Sequence, residues 1–323
     1  MWDNIKMWVV AARPKTLTAS VSPVIVAIAL AYSKGFVDIG LSLLCIGVAL
    51  FAQVASNYAN DYFDFKNGTD GDDRVGPERA VANGWVTAKS MLIASLIAVG
   101  LAAVCGLAIV CLTKWWLILV GLFVVAGVYA YSAGPYPLSY NGWGDVAVLL
   151  FYGIVPVCGT VYVLTGDVTL RGFLLALSMG CVATNILVVN NYRDYETDMS
   201  ANKRTSIVIH GQVFGEMLYI LCAACALITV ALAICIDDSV TESIISECRA
   251  VVSALPVHDN SVTSIFTAQK IWLIVFLAEF GVLQYIAWKK MKTSTGKELN
   301  DVLALTARNV LIWAVLLSIL LVM

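Results

Sequence analysis

The chain has 323 residues, of which 60% are hydrophobic and 13% are charged, and its mean hydropathy is +0.85. This composition excludes an ordinary soluble domain and predicts an integral membrane protein, with the lipid bilayer as its partner. The formal net charge of −2 and the lack of a basic tail give no indication of nucleic acid as a partner.

Residues 1–15 precede the first long apolar run and combine Trp2 and Trp8 with the cations Lys6 and Arg13. This mixture is typical of an amphipathic helix that lies at the membrane interface. The apolar run that follows is longer than the core of a cleaved signal peptide, and no clear cleavage site follows it. We therefore expect an interfacial segment that leads into the first span.

Nine apolar runs are long enough to cross about 30 Å of hydrocarbon as helices. They lack the alternation of membrane-barrel strands, and lipid offers open backbone no hydrogen-bond partner, so helices are the expected structure. We predict an all-α, polytopic membrane protein with nine transmembrane helices, at about 16–33, 39–58, 90–112, 115–133, 145–165, 171–190, 214–236, 269–288 and 302–322.

Lysine and arginine are divided unevenly between the two sides of this predicted bundle. Fifteen of the 20 lie in segments that would share one side, which the positive-inside rule assigns to the cytoplasm. The N-terminus and the connections after the second and sixth spans are then cytoplasmic. The C-terminus is predicted on the outer face.

The order of the spans indicates a tandem repeat within one membrane-embedded domain of residues 1–323. Two acidic clusters follow the second and the sixth span, a period of four spans that is typical of parallel repeats. We interpret 1–133 and 134–288 as approximate half-repeats of four helices each, followed by a final helix at about 302–322. The polar stretch 237–266 is interpreted as a loop on the outer face.

The two acidic clusters follow the second and sixth predicted spans. The first acidic cluster is NDYFDFKNGTD, residues 60–70, and the second acidic cluster is NNYRDYETD, residues 190–198. Carboxylates crowded at the mouth of an apolar bundle stay ionised only when cations are held between them. Helical spacing places matched oxygen ligands for Mg²⁺ on one stripe of each helix, namely Asn57, Asp61 and Asp64, and Asn190, Asp194 and Asp198.

Zinc and nucleotide chemistry are not indicated. The chain has two histidines, His210 and His258, which do not form the ligand pairs of a zinc site. It lacks a Walker A pattern, a dinucleotide glycine fingerprint and an HExxH motif. The favoured interpretation is a metal-held diphosphate on a lipid-tailed substrate.

Polar residues near the acidic clusters are candidates for binding that substrate. Arginine and lysine bind phosphate oxygens through charge-assisted hydrogen bonds. The candidate substrate-binding residues here are Arg79, Arg193, Lys203, Asn60, Asn190 and Asn191.

The clusters resemble the paired aspartate-rich motifs of the UbiA superfamily of intramembrane prenyltransferases, and the similarity covers nearly the whole chain. Within it, the chain is most similar to the 1,4-dihydroxy-2-naphthoate polyprenyltransferases of menaquinone biosynthesis. The resemblance also rests on RPKTL at 13–17, DRVGPERAVANGWVT at 73–87, GPYPLSYNGWGD at 134–145, NNYRD at 190–194 and ELNDVLALTAR at 298–308.

This resemblance implies a UbiA-type bundle of two four-helix halves plus a final helix, in a bacterial cell (inner) membrane. It implies Mg²⁺-dependent transfer of a polyprenyl group from polyprenyl diphosphate to 1,4-dihydroxy-2-naphthoate, with decarboxylation, giving demethylmenaquinone. Matched by position, the catalytic residues are Asp61, Asp64, Asp194 and Asp198. Tyr131 is a candidate substrate-binding residue whose ring would face the allylic cation of this reaction.

The aromatic acceptor implied by the resemblance carries an acid group, which needs a cationic partner. Arg13 and Lys15, near the predicted cytoplasmic mouth, are the candidates. The chain departs from the superfamily pattern at two places: Asp70 follows Asp64 by six residues instead of four, and SAGP follows Tyr131 where a lysine is common. The second departure weighs against the 4-hydroxybenzoate branch.

Two alternatives stay open. One is another UbiA-type aromatic prenyltransferase, with 4-hydroxybenzoate, haem or a chlorophyll-type precursor as acceptor. The other is a cation or secondary transporter, whose acidic sites lie near mid-bilayer rather than at the cytoplasmic rim.

Overall fold

The computed structural model describes residues 2–69, 75–76, 78–252 and 261–323, with side chains for all of these except 2–4, 15, 237–252 and 261–270. Its α-helices are α1 (Trp2–Ala12), α2 (Pro14–Ser33), α3 (Ile39–Lys66), α4 (Ala88–Leu112), α5 (Leu117–Ala130), α6 (Gly144–Leu149), α7 (Val155–Thr165), α8 (Leu170–Arg193), α9 (Tyr195–Ser200), α10 (Ser206–His210), α11 (Gln212–Val252), α12 (Ser261–Thr293) and α13 (Leu299–Val322). A π-helical segment, Leu150–Ile154, joins α6 to α7 in one continuous span.

Within the described ranges, eight helical segments are long and apolar enough to cross a membrane by length and composition. They correspond to eight of the nine predicted spans, and the all-α membrane fold is confirmed. The ninth, α5, has 14 residues. At 1.5 Å per residue it is about 21 Å long, which is shorter than the hydrocarbon layer.

The stretch 237–266 is more helical than predicted. The backbone of α11 continues to Val252 and that of α12 begins at Ser261. The prediction of a loop is therefore wrong for residues 237–252 and 261–266, because polar residues end the apolar part of a span without ending the helix. Residues 253–260 lie outside the described residues.

The turn between α1 and α2 is built on Arg13. Its backbone is left-handed, with φ of 51°, which is uncommon for a residue other than glycine. Pro14 then begins α2, where its missing N–H is not needed by the helix. The hydroxyl of Thr16 donates to the carbonyl of Arg13 at 2.9 Å. The predicted N-terminal segment is thus a separate helix, and Arg13 lies at its junction with the first span.

Four helices of the C-terminal half are joined around Trp313. Its ring stacks on Phe280 of α12 with centroids 4.0 Å apart, and its indole N–H donates to Ser178 of α8 at 2.9 Å. Ser178 donates in turn to the carbonyl of Ala226 in α11 at 3.1 Å. These buried contacts fix α8, which carries the second acidic cluster at its end, within a packed scaffold.

Gly153 and Gly180 allow the π-helical segment and α8 to pack at very short range. A Cβ atom at Gly153 would lie 2.5 Å from the carbonyl oxygen of Ala176 and from Cα of Gly180. We expect Gly153→Ala to lower the free energy of unfolding by about 1–3 kcal/mol, because the backbones must separate. Gly159→Ala is the control, since its Cβ would meet nothing within 4 Å. Equal thermal unfolding midpoints for the two variants in detergent would contradict this expectation.

Candidate functional site

A cavity of about 800 Å³ runs through the bundle. Its lining on α3 extends from Cys45 to Asp64, which is about 28 Å along the helix axis at 1.5 Å per residue. One end is polar and includes Asp64, Arg79 and Lys203, whereas most of the remaining surface is apolar. The shape suits a long apolar molecule with a charged head.

Asp64 lies at the polar end and is buried. Its carboxylate accepts hydrogen bonds from Arg79 Nη2 at 2.8 Å and from the hydroxyl of Tyr140 at 2.9 Å. The Tyr140 hydroxyl also lies 2.9 Å from Thr69 Oγ1. Burial and the nearby Asp64 carboxylate both raise the pKa of Tyr140, which keeps this phenol protonated as a donor.

Asp61 is one helical turn from Asp64 and has a different environment. Its carboxylate accepts hydrogen bonds from the backbone N–H groups of Ala80 at 3.1 Å and Val81 at 3.3 Å, and it interacts electrostatically with Arg13. Asp61 and Arg13 both line the cavity. The contacts of Asp61 hold the turn that follows Arg79, so they help to position the cation that pairs with Asp64.

Asn57 connects α3 to the start of α2. Its amide donates to the carbonyl of Ala12 at 2.7 Å and to Thr16 Oγ1 at 3.0 Å, and its oxygen accepts from Gln53 Nε2 at 3.1 Å. The Tyr152 hydroxyl donates to the oxygen of Gln53. This buried chain of hydrogen bonds orients the segment that carries Arg13, and it gives no support to Asn57 as a metal ligand.

The second acidic cluster is organised by Arg193, whose side chain is 0% exposed. The guanidinium donates to both oxygens of Asp194, at 2.8 and 2.7 Å, and to Asn190 Oδ1 at 2.8 Å. Its remaining nitrogen donates to Asn300 Oδ1 at 2.9 Å. Arg193, Asp194 and Asp198 do not line the cavity themselves. The hydrogen bonds of Arg193 all go to protein groups, which favours a role in positioning Asp194 over the predicted substrate binding.

Asp198 pairs with Lys203 at 3.2 Å, and its other oxygen, Oδ2, is buried without a hydrogen-bond partner. Burial raises the pKa of Asp198 to about 6. The cation of Lys203 lowers this pKa and the carboxylate of Asp194 raises it further.

The segment after Asp198 also contacts Tyr140. The backbone N–H of Arg204 donates to the carbonyl of Tyr140 at 3.1 Å, and the ammonium of Lys203 lies 5.6 Å from the centre of the Tyr140 ring.

Lys203 is the cation on which the two acidic clusters converge. Burial alone would lower the pKa of Lys203, but the carboxylates of Asp198, Asp64 and Asp194 outweigh burial and raise it. One of these residues belongs to the first cluster and two belong to the second. The structure therefore brings both clusters to one space, although they are separated by more than a hundred residues.

Whether the side chains around Lys203 can bind a metal ion depends on their ligand atoms. Among the described residues, which do not include Asp70, no group of three or more His, Cys, Asp or Glu side chains is arranged to hold a metal ion. Arg79, Arg193 and Lys203 pair with the carboxylates instead. The donors are nevertheless oxygens, and the partnerless Oδ2 of Asp198 is an unsatisfied buried acceptor, which suits a hard dication such as Mg²⁺.

The other predicted residues are divided between the cavity and the protein around it. Asn60, Tyr131, Asn190 and Asn191 line the cavity, and Asn60 Oδ1 accepts a hydrogen bond from Ser132 at 2.5 Å. The side chain of Lys15 lies outside the described residues.

Sequence reasoning missed Tyr140, Ser132, Gln53 and Asn300. Tyr140 and Asn300 lie within two of the local signatures, GPYPLSYNGWGD and ELNDVLALTAR. These signatures therefore held the signal, but the individual residues could not be selected without their contacts.

Comparison with known proteins agrees with the architecture of the chain. Residues 20–241 match the model of the UbiA prenyltransferase family. The 1,4-dihydroxy-2-naphthoate octaprenyltransferase of Mycobacterium tuberculosis is 38% identical over 216 residues, 67% of this chain and 74% of that protein. The Escherichia coli protein of the same name is 36% identical over 218 residues, 65% of this chain and 70% of that protein.

The fold comparison covers almost the full length. A UbiA homologue from Archaeoglobus fulgidus, solved with DMAPP and Mg²⁺, superposes with a TM-score of 0.60 at 12% identity, covering 95% of this chain and 99% of that one. At this identity the likeness concerns the fold alone. Together with the match over residues 20–241, it leads to one conclusion: the chain belongs to the UbiA prenyltransferase family.

Proposed function

We propose that this protein transfers a polyprenyl group from polyprenyl diphosphate to 1,4-dihydroxy-2-naphthoate, with decarboxylation, in menaquinone biosynthesis. The observation that carries the proposal is that Tyr140 joins Asp64 of the first acidic cluster to Lys203, which pairs with Asp198 of the second, at the charged end of a long apolar cavity. The names of the mycobacterial and enterobacterial relatives support the choice of acceptor.

The charged end would bind the diphosphate head of the donor. Arg79 and Lys203 both line the cavity and can donate charge-assisted hydrogen bonds to phosphate oxygens. Asp64, Asp194 and Asp198 would hold Mg²⁺. When bound, this ion supplies positive charge that offsets the charge on the diphosphate and lowers the cost of its departure.

The apolar part of the cavity would hold the polyprenyl chain and keep water from the reacting carbon. In the reaction the bond between C1 of the prenyl group and the diphosphate oxygen breaks, and its electron pair leaves with the diphosphate. The ring carbon that bears the carboxylate supplies the pair for the new carbon–carbon bond. The carboxylate leaves as carbon dioxide, and its bonding pair stays with the ring. Tyr131, on the cavity surface, is a candidate for stabilising the allylic cation through its ring.

The acceptor would bind beside the diphosphate with its carboxylate facing Arg13. Arg13 lines the cavity, and the hydrogen bonds of Asn57 hold the adjoining start of α2. Lys15 is a second candidate for the same role. We place the site and the N-terminus on the cytoplasmic side of a bacterial cell membrane and the C-terminus on the outer side, following the positive-inside distribution.

The test is a reconstitution of the purified protein in lipid nanodiscs with 1,4-dihydroxy-2-naphthoate, a polyprenyl diphosphate and Mg²⁺. Mass spectrometry should detect a lipid equal in mass to the prenylated acceptor without its carboxyl group. A chelator should abolish the product and added Mg²⁺ should restore it.

Parallel reactions distinguish the alternatives. If product forms with 4-hydroxybenzoate and not with the naphthoate, the acceptor proposed here is wrong and 4-hydroxybenzoate takes its place. If the protein takes labelled Mg²⁺ into proteoliposomes and forms no prenylated product, it is a transporter and not a prenyltransferase.

A further inference from the structure

Asn300, at the start of α13, lies between the second acidic cluster and the segment that follows the first. Its side-chain oxygen accepts a hydrogen bond from Arg193 Nη1 at 2.9 Å. Its side-chain nitrogen donates to the backbone carbonyl of Val75 at 3.2 Å. Asn300 thus links α8, α13 and the connection between α3 and α4 with one amide group.

The chemistry of the two partners fixes the orientation of this amide. Arginine has only donors, so it requires the oxygen of Asn300. A backbone carbonyl only accepts, so it requires the nitrogen. The opposite rotamer would place donor against donor and oxygen against oxygen. Leucine, which has a similar size, offers neither group, and an ionised aspartate retains only the acceptor.

One partner of Asn300 contacts candidate metal-binding residues, and the other lies in the segment that leads to Arg79. Arg193 holds both oxygens of Asp194 and the oxygen of Asn190. Val75 lies four residues before Arg79, the cation paired with Asp64. The Arg193 side chain is fully buried. Loss of the Asn300 oxygen would leave its Nη1 as an unsatisfied charged donor, so we expect the guanidinium to shift and its hydrogen bonds to Asp194 and Asn190 to change.

We propose that Asn300 is a positioning residue of the diphosphate site, which sets the relative placement of Asp194 and the Arg79 segment from the last helix of the chain. The proposal rests on the proposed function. It assigns a role to the ELNDVLALTAR segment, which is distant in sequence from both acidic clusters.

The experiment measures binding and turnover separately. The thermal unfolding midpoint of the purified protein in detergent is followed as Mg²⁺ is titrated at a fixed concentration of farnesyl diphosphate. For Asn300→Leu, we expect the Mg²⁺ concentration at half-maximal stabilisation to rise by about 10–100-fold, the range typical for removal of a partner of metal-binding residues. In the transfer assay, KM for the prenyl diphosphate should rise while KM for the acceptor stays unchanged.

Two further variants sharpen the result. Asn300→Asp keeps the acceptor for Arg193 and places an oxygen against the Val75 carbonyl, so it should give a smaller rise. Asp301→Asn changes the exposed neighbouring residue and should behave as the unmodified protein.

An unchanged Mg²⁺ midpoint in Asn300→Leu would overturn the proposal. If that variant does not fold, an unchanged midpoint in Asn300→Asp would do so. A purely structural role would lower the amount or the ligand-free stability of the protein without moving the midpoint, which also contradicts the proposal. If the unmodified protein gains no stability from Mg²⁺ and farnesyl diphosphate, it is the proposed function that fails.

Discussion

Asp198→Asn and Asp64→Asn should each reduce prenyl transfer by about 10²–10³-fold or more, which is the cost of removing one preorganised electrostatic group from an active site. Each change removes a negative charge from the space around Lys203, where both acidic clusters act on one cation. Amide oxygens are also weaker ligands for a hard dication than carboxylate oxygens. The measurement is kcat in nanodiscs with saturating donor and acceptor.

Glu196→Gln is the matched control for this experiment. Glu196 lies in the same short helix as Asp198 but is exposed, so the same loss of charge should leave transfer close to normal. The double variant Asp64→Asn/Asp198→Asn should be little worse than either single variant, because groups that act as one unit are not additive. Near-normal kcat in Asp198→Asn would exclude this carboxylate from the site.

Gly159→Phe should shift the preference of the protein towards short prenyl donors. Gly159 lines the cavity on α7, and nothing lies within 4 Å of the position of its Cβ, so a phenylalanine ring would extend into the open space. It lies 15 residues beyond Gly144, which lines the cavity near Tyr131. This separation is about 22 Å at 1.5 Å per residue. Gly159 is therefore deep in the cavity, where only a long chain would reach.

The expected result is a change in donor preference rather than a general loss. Transfer from a C40 donor should fall at least about ten-fold relative to a C15 donor, since filling an apolar pocket changes discrimination by this order. Gly100→Phe is the matched control, because Gly100 is exposed on α4, outside the cavity lining, and its Cβ would also meet nothing within 4 Å. Equal use of both donors by Gly159→Phe would show that the polyprenyl chain lies elsewhere.

Hydropathy and length predicted the helices well because both follow from the thickness of the hydrocarbon layer. They overestimated the length of α5, because the apolar run is longer than the helix that it contains. They also assigned 237–252 to a loop, because polarity indicates where a span leaves the membrane and not where its helix ends.

The sequence was sufficient to select most residues of the candidate site, but it did not show what each of them contacts. Helical spacing placed Asp61 and Asp64 on one stripe, but their roles depend on where the connection to α4 folds back. Its N–H groups at Ala80 and Val81 engage Asp61, while its Arg79 side chain engages Asp64. Arg193 was predicted to face the substrate because of its charge. Its burial behind Asp194 depends on α13, more than a hundred residues later.

The ion pairs of the site carry a consequence for how a ligand enters. Asp64 and Asp198 each pair with a protein cation, Arg79 and Lys203 respectively, so the chain folds without an uncompensated cluster of negative charge at this place. On the function proposed above, Asp64 and Asp198 would exchange these cations for Mg²⁺, which would offset charge on the diphosphate, and Arg79 and Lys203 would become available to donate to phosphate oxygens.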